Sequence, residues 1–177
     1  MRETDKGPYV FAQVTAAGQP ALEVLGQMLE RAVGSLTFPK TMRWGSLDFR
    51  FARPIRWLLA LLGPDVVPMQ IAGLRSDRVT WGHRFLSDGP VAISDPSEYL
   101  AKLEQAYVIA DHQQRMSLIE ERAREAARKA GGRARLDPDL VEEVNFMVEY
   151  PTALVGRFDS RYLQLPADVI VTVMSGH

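Results

Sequence analysis

The stretch Arg56-Trp-Leu-Leu-Ala-Leu-Leu-Gly-Pro-Asp65 lies in the part of the sequence that decides the fold class. Between residues 47 and 85, short β-type runs follow one another, and we predict strands at 47–51, 56–62, 66–74 and 79–85. The turns between the last three of these strands are predicted at 63–65 and 75–77. Strands that succeed one another without an intervening helix indicate an antiparallel or mixed sheet.

Helical patterns flank this strand-rich region on both sides. Before it, a β-rich run at 9–15 precedes apolar residues at helical spacing over 21–36, which predicts a strand and then a helix. After it, aspartates stand where helix N-caps are expected, two of them followed by proline. The predicted elements there are helices opened by Asp95, Asp111 and Asp137, a helix start at 165–168, and short strands at 107–110 and 153–155. We expect these three helices to end near Gln105, at Gly131-Gly132 and before Tyr150-Pro151.

Length and composition are those of a globular α+β protein. The 177 residues, 46% hydrophobic and 24% charged, can bury one core, so we expect a single domain over 1–177 with a mainly helical second half from about residue 95. The helix predicted from 165–168 has barely two turns before the sequence stops, so we also expect a truncated fragment of a longer chain. No cysteine is present, and no apolar run approaches the ~20 residues that span a bilayer. A cytoplasmic protein without disulfides is therefore expected.

Residues 38–57, which we call the basic-aromatic strip, are the most distinctive segment of a chain whose net charge is only -1. Aromatic residues alternate there with five cations and a single acid, Asp48. Guanidinium groups pair with phosphate and aromatic rings stack on bases, so this pattern predicts contact with nucleic acid. A similar cluster recurs at 80–85. The candidate nucleic-acid-binding residues are Lys40, Arg43, Trp44, Arg50, Arg53, Arg56, His83 and Arg84. Alternatively, the rings alternate into a core and the cations form the solvated face of a strand.

Signatures of catalysis, metal binding and nucleotide binding are weak in this sequence. Neither common glycine-rich phosphate loop follows a predicted strand, and the three histidines lack a second ligand at metal-binding spacing. Ser46 with Asp48, and Ser117 with Glu120, have no nearby base that would complete a nucleophilic triad. We therefore predict no catalytic or metal-ligating residues in this chain.

Ordered sequence motifs along nearly the whole chain resemble one known family. They are Gly7-Pro-Tyr, Phe38-Pro-Lys-Thr-Met-Arg-Trp-Gly45, Phe51-Ala-Arg-Pro-Ile-Arg-Trp57, Gly82-His-Arg-Phe85, Tyr107-Val-Ile-Ala-Asp111, Leu140-Val-Glu-Glu-Val144, Val148-Glu-Tyr-Pro-Thr-Ala-Leu-Val-Gly156 and Leu165-Pro-Ala-Asp-Val-Ile-Val-Thr-Val-Met174. In this order they resemble the β subunit of the bacterial-type tetrameric glycyl-tRNA synthetase. The resemblance runs from about Thr4 to His177 and indicates an N-terminal-region fragment of that subunit.

This resemblance implies a fold, an activity and a set of partners. In the family, two α subunits hold the class II catalytic core, which uses ATP and magnesium, and two β subunits supply tRNA recognition. The implied partners are the α subunit, a second β subunit in the tetramer and tRNA(Gly), with no membrane and no cofactor in this region. The implied fold resembles the B3/B4-type α+β module of phenylalanyl-tRNA synthetase β subunits, where that module can edit mischarged tRNA. No editing motif of that module is matched here.

Three roles for the fragment follow within a glycine–tRNA ligase. The first is a non-catalytic module that places tRNA through the basic-aromatic strip. The second is a structural scaffold, in which arginines such as Arg53 and Arg56 are buried in ion pairs at a subunit interface. The third is a hydrolytic editing domain. Solvent exposure of the candidate cations favours the first role, and burial against acids such as Glu142, Glu143 or Glu149 favours the second.

Overall fold

The structure, a computed structural model, describes residues 2–4, 7–10, 12 and 17–175. Its described residues form nine short strands and five α-helices, which confirms the predicted α+β class. The chain divides into two compact units, Met1–Asp77 and Arg78–His177. The expectation of a single domain over 1–177, and the likeness to the phenylalanyl-tRNA synthetase module, both stay predictions.

The first unit contains one helix and seven strands among its described residues. These are β1 (Arg2–Thr4), β2 (Gly7–Tyr9), α1 (Ala21–Gly34), β3 (Leu58–Leu59), β4 (Leu61–Leu62), β5 (Asp65–Val66), β6 (Gln70–Ile71) and β7 (Leu74–Asp77). β7 is the centre of a three-stranded sheet, with β3 parallel on one side and β6 antiparallel on the other. β1 pairs with β2, and β4 pairs with β5, both antiparallel. Helix α1 confirms the helix predicted over 21–36, whereas most of the strand predicted at 9–15 lies outside the described residues.

Tight turns divide the predicted strands of this unit into shorter ones. Gly63, with φ of 56°, and Pro64 join β4 to β5, which confirms the turn predicted at 63–65. Ala72 and Gly73 have φ of 51° and 79° and join β6 to β7, as in a type I′ hairpin turn. The prediction of one strand over 66–74 is therefore wrong, because the chain reverses inside it. The turn predicted at 75–77 is also wrong, because those residues belong to β7.

Helix α1 packs closely against the chain between β5 and β6. Gly26 is buried, and a Cβ there would overlap the carbonyl oxygen of Pro68, so only glycine allows this approach. Glu30 Oε1 accepts a hydrogen bond of 2.6 Å from the backbone N–H of Gln70. The buried apolar residues beside this contact are Val67, Met69 and Ile71.

The second unit is mainly helical, as predicted. Its elements are β8 (Val79–Trp81), β9 (Pro90–Ala92), a 3₁₀ turn (Pro96–Glu98), α2 (Tyr99–Gln105), α3 (His112–Lys129), α4 (Pro138–Met147), a second 3₁₀ turn (Ser160–Gln164) and α5 (Ala167–Ser175). β8 and β9 pair antiparallel. β8 ends at Trp81, so the strand predicted at 79–85 is four residues shorter than expected. The strands predicted at 107–110 and 153–155 are wrong, because neither segment pairs as a strand. Ile109 is nevertheless buried, and its N–H donates to the Glu149 carbonyl oxygen at 2.9 Å.

Aspartate caps open α3, α4 and the 3₁₀ turn that leads into α2, as the sequence predicted. Asp111 Oδ1 accepts from the N–H groups of Gln113 and Gln114 at 2.8 and 3.1 Å. Those two bonds hold the pKa of Asp111 below its ordinary value of 3.8. Asp95 and Asp137 accept equivalent bonds, from Ser97 and Asp139.

Two helices of this unit end in the same hydrogen-bond pattern but with different residues. After α3, Gly132 N–H donates to Ala127 O and Gly131 N–H to Arg128 O, which is a Schellman motif with Gly131 at φ of 82°. After α2, Val108 N–H donates to Leu103 O and Tyr107 N–H to Glu104 O, and Tyr107 has φ of 59°. Tyrosine is strained in this left-handed conformation. Its ring lies edge-on to that of Tyr150, with the ring centroids 5.4 Å apart.

Buried and half-buried polar side chains connect α3 to α4 and to the segment that follows α4. Asn145 is fully buried, and its Nδ2 donates to the His112 carbonyl oxygen at 3.0 Å. Arg115 donates to the carbonyl oxygens of Asn145 and Ile109, and Arg122 donates to that of Pro151. The Arg122 guanidinium also lies over the Tyr150 ring, 5.0 Å from its centroid.

Candidate nucleic-acid interface

The basic-aromatic strip is an irregular loop closed by one backbone bridge. Met42 and Phe51 exchange hydrogen bonds of 2.9 and 3.3 Å, so they pair antiparallel. At the tip, Leu47 N–H donates to Trp44 O at 3.3 Å, and Gly45 has φ of 58°. The strand predicted at 47–51 is therefore reduced to a single bridge residue, and the strand predicted at 56–62 begins at Leu58.

Aromatic rings of the strip contact one another. Phe51 lies 4.7 Å from Phe38 and 6.1 Å from Phe49, measured between ring centroids. Trp44 in turn lies edge-on to Phe49 at 6.1 Å. All four residues are half-buried, while Arg50, between Phe49 and Phe51, is exposed. The rings thus pack against one another within the loop, while Arg50 stays in solvent.

All five cations of the strip are exposed to solvent. They are Lys40, Arg43, Arg50, Arg53 and Arg56. Arg43 Nη1 lies 3.1 Å from Asp48 Oδ1, but both side chains are more than half exposed, so this pair contributes little stability. The other four cations have no ion pair or hydrogen bond to any residue that the structure describes. Their charges are therefore available to a ligand.

The two remaining candidates, His83 and Arg84, lie in the second unit, after β8. His83 is half-buried, and its N–H donates to the Ala106 carbonyl oxygen at 2.8 Å. Arg84 is exposed. Phe85, which the sequence placed at the end of a strand, is 84% exposed instead. No pattern in the sequence distinguished Phe85 from a buried strand residue.

A cleft of about 470 Å³ in the second unit is lined by charged, polar and apolar side chains. Its lining residues are Glu104, Ile109, Gln114, Ser117, Leu118, Glu121, Arg122 and Tyr150. Arg122 is already engaged there with Pro151 and Tyr150. None of the candidate nucleic-acid-binding residues lines this cleft.

The described residues lack the features of a metal site and of a membrane span. They contain no cluster of three or more histidine, cysteine or acidic residues that could hold a metal ion. No helix in the described part of the chain has the length and apolar character needed to cross a bilayer.

The family model described as "Glycyl-tRNA synthetase beta subunit" matches residues 1–177. The chain belongs to this family. The glycine–tRNA ligase beta subunit of Moorella thermoacetica is 50% identical over 176 residues, which cover 99% of this chain and 25% of that protein. Those of Desulforamulus reducens and Syntrophus aciditrophicus are 45% and 43% identical, over 100% and 99% of this chain. The chain thus spans about a quarter of the length of these curated relatives. The family predicted from the sequence motifs is confirmed.

Proposed function

We propose that this chain is part of a glycine–tRNA ligase, in which it is a non-catalytic module that helps to place tRNA(Gly). Membership in the β-subunit family supports the parent enzyme. In that assembly the partners would be the α subunit, which would use ATP and magnesium, and a second β subunit, in the cytoplasm. The activity belongs to the assembled ligase, and the chain alone is proposed to be inactive.

The observation that carries the role in tRNA placement is the exposure of the strip cations. Lys40, Arg50, Arg53 and Arg56 are in solvent and lack acidic partners among the described residues. A scaffold role within this chain would bury these groups in ion pairs with its own acids, because an unpaired buried charge is costly. Their state instead favours contact with a polyanion, since each cation can displace a counterion from a phosphate.

Salt dependence provides the quantitative expectation. If four cations each neutralise one phosphate, log K should fall against log salt with a slope of roughly -2.8 to -3.6. Between 50 and 200 mM salt, the affinity of this surface for RNA should then fall about 50- to 150-fold.

The test is the triple variant Arg50→Gln, Arg53→Gln, Arg56→Gln in the assembled enzyme. It should bind tRNA(Gly) more weakly, with a salt slope shallower by about 2 to 3, and should charge tRNA more slowly without unfolding. A matched control changes three exposed arginines outside the strip, Arg133→Gln, Arg135→Gln and Arg157→Gln. Equal losses in both variants, or unchanged tRNA charging in the strip variant, would contradict the proposal.

The same variants separate the scaffold role from tRNA placement. A strip that forms a subunit interface would weaken association with the α subunit and leave affinity for RNA unchanged. The editing role is tested separately, by hydrolysis of mischarged tRNA.

A further inference from the structure

The turn over residues 82–87 presents an aromatic ring to solvent. Phe85 is 84% exposed and Leu86 is 50% exposed. A single exposed apolar side chain is common on protein surfaces and by itself indicates nothing. Phe85 differs because hydrogen bonds hold its backbone and because the side chains of His83 and Arg84 lie beside it in the turn.

The backbone of the 82–87 turn is tightly held. His83 N–H donates to Ala106 O, and His83 O accepts from Leu86 and Ser87 at 3.3 and 3.0 Å. A Cβ on Gly82 would lie 2.5 Å from both Cβ and O of Ala106 and 2.6 Å from Ser87 Oγ. The turn is thus closed against α2's C-terminal end, and its side chains are presented from a fixed backbone. A preorganised surface loses less entropy when it binds a ligand.

The ring of His83 is oriented by a hydrogen bond within the turn. Its Nδ1 accepts from the Phe85 N–H at 3.2 Å. In the neutral imidazole the nitrogen that accepts carries no proton, so Nε2 carries it and is a donor. The centroids of the His83 and Phe85 rings are 6.2 Å apart. The side chain between them, Arg84, is exposed and has no ion pair with any described residue.

We propose that the 82–87 turn binds one unpaired nucleotide of an RNA. The Phe85 ring stacks on the base, Arg84 contacts a neighbouring phosphate, and His83 Nε2–H donates to an oxygen of the phosphate or sugar. A purely apolar protein partner would use the Phe85 ring but neither the cation nor the imidazole donor. A base inside a duplex has both faces covered by its neighbours, so the proposal specifies a single-stranded position. It rests on the proposed function only in taking RNA as the partner.

The experiment compares Phe85→Leu with Phe85→Tyr in the assembled enzyme. The probes are a ten-nucleotide single-stranded RNA with one 2-aminopurine, and a blunt duplex of the same sequence. Phe85→Leu should weaken single-strand binding about 5- to 150-fold and abolish the fluorescence change of 2-aminopurine, while the salt slope stays the same. Phe85→Tyr should retain both, because it keeps a flat ring. Binding of the duplex should be unchanged in both variants.

Phe146 provides a matched control within the chain. It is 66% exposed and its ring lies 6.1 Å from that of His112, so it is also a histidine-phenylalanine pair. Its neighbours Glu142 and Glu143 are exposed acids, which repel phosphate. Phe146→Leu should leave single-strand binding unchanged.

Three results would overturn the proposal. One is that Phe85→Leu leaves the affinity for the single strand unchanged. If the triple variant of the basic-aromatic strip weakens RNA binding in the same assay, the proposed function stands and only the inference about the 82–87 turn falls. Another is an equal loss for the single strand and the duplex. The third is loss of subunit association with RNA affinity retained, which would assign Phe85 to a protein contact. If neither the strip variant nor Phe85→Leu changes affinity for RNA, both proposals fall.

Discussion

Gly82→Ala should destabilise the second unit, although alanine is usually the more favourable residue. The added Cβ would lie 2.5 Å from two atoms of Ala106, where ordinary contact begins at 3.4 Å. Relief of that overlap requires a movement of about 0.9 Å away from Ala106, because 3.4 Å less 2.5 Å is 0.9 Å. The hydrogen bond from His83 N–H to Ala106 O, now 2.8 Å, would lengthen beyond normal range.

The magnitude follows from three terms of different sign. Overpacking costs about 1–3 kcal/mol. A lost backbone hydrogen bond costs about 0.5–1.5 kcal/mol. Replacing glycine lowers the entropy of the unfolded chain, which stabilises by about 0.4–1 kcal/mol. The free energy of unfolding should therefore fall by about 0.5–4 kcal/mol.

The assay is urea unfolding followed by circular dichroism, combined with hydrogen exchange at the His83 amide. Faster exchange there would locate the damage at the contact with Ala106. The matched control is Gly156→Ala, because a Cβ at that exposed glycine meets nothing within 4 Å and the residue lacks a positive φ. It should be neutral or slightly stabilising. A Gly82→Ala variant as stable as this control would refute the reasoning.

Two further predictions concern helix ends. Hydrogen bonds lower the pKa of Asp95 and Asp111 from 3.8, so the stability these groups contribute is complete above that pH and is lost as pH falls through their folded pKa values. Urea midpoints measured below about pH 4 should therefore depend less on pH in the double variant Asp95→Asn, Asp111→Asn. The same dependence on pH in the variant and the parent protein would contradict this. Tyr107→Gly should be nearly neutral, because relief of a left-handed tyrosine, about 1 kcal/mol, offsets loss of the ring contact with Tyr150. Tyr107→Gly made in a Tyr150→Leu background should stabilise the protein, because no ring contact is then lost. At the equivalent position after α3, Gly131→Ala should cost about 1 kcal/mol. A double-mutant cycle of Tyr107 and Tyr150 on urea midpoints measures the ring contact, and destabilisation by Tyr107→Gly in the Tyr150→Leu background would contradict the account.

Helices could be predicted from this sequence because their signals are local. Asp111 caps α3 through N–H groups two and three residues away. At the other end, Gly131 lies just after the last helical residue and its N–H donates to Arg128 O, in the last turn. Strand boundaries depended on turns that have only weak signals in the sequence. Ala72 adopts a positive φ that alanine rarely adopts, and Tyr107 occupies a position where glycine is usual. Both residues look like ordinary strand residues in the sequence.

The candidate interface was only partly predictable for a different reason. The excess of cations over acids in the strip is a matter of composition, so it could be read directly from the sequence. The exposure of Phe85 depends on contacts of Gly82 and His83 with Ala106, which lies more than twenty residues further along the chain. Asn145, fully buried in α4, was missed because polar residues are mostly exposed.

Helix α3 is attached partly through arginines whose partners are backbone carbonyls, and the tolerance of these particular bonds to mutation is therefore one-sided. Replacing the side chain of Ile109 or Asn145 leaves the oxygen that accepts from Arg115 in place. Replacing Arg115 removes both bonds, and lysine cannot restore them, because a single ammonium lacks the spread of a guanidinium that reaches two separate carbonyls. A mutational scan should therefore find Arg115 intolerant even to lysine, while many side chains at Ile109 keep this attachment.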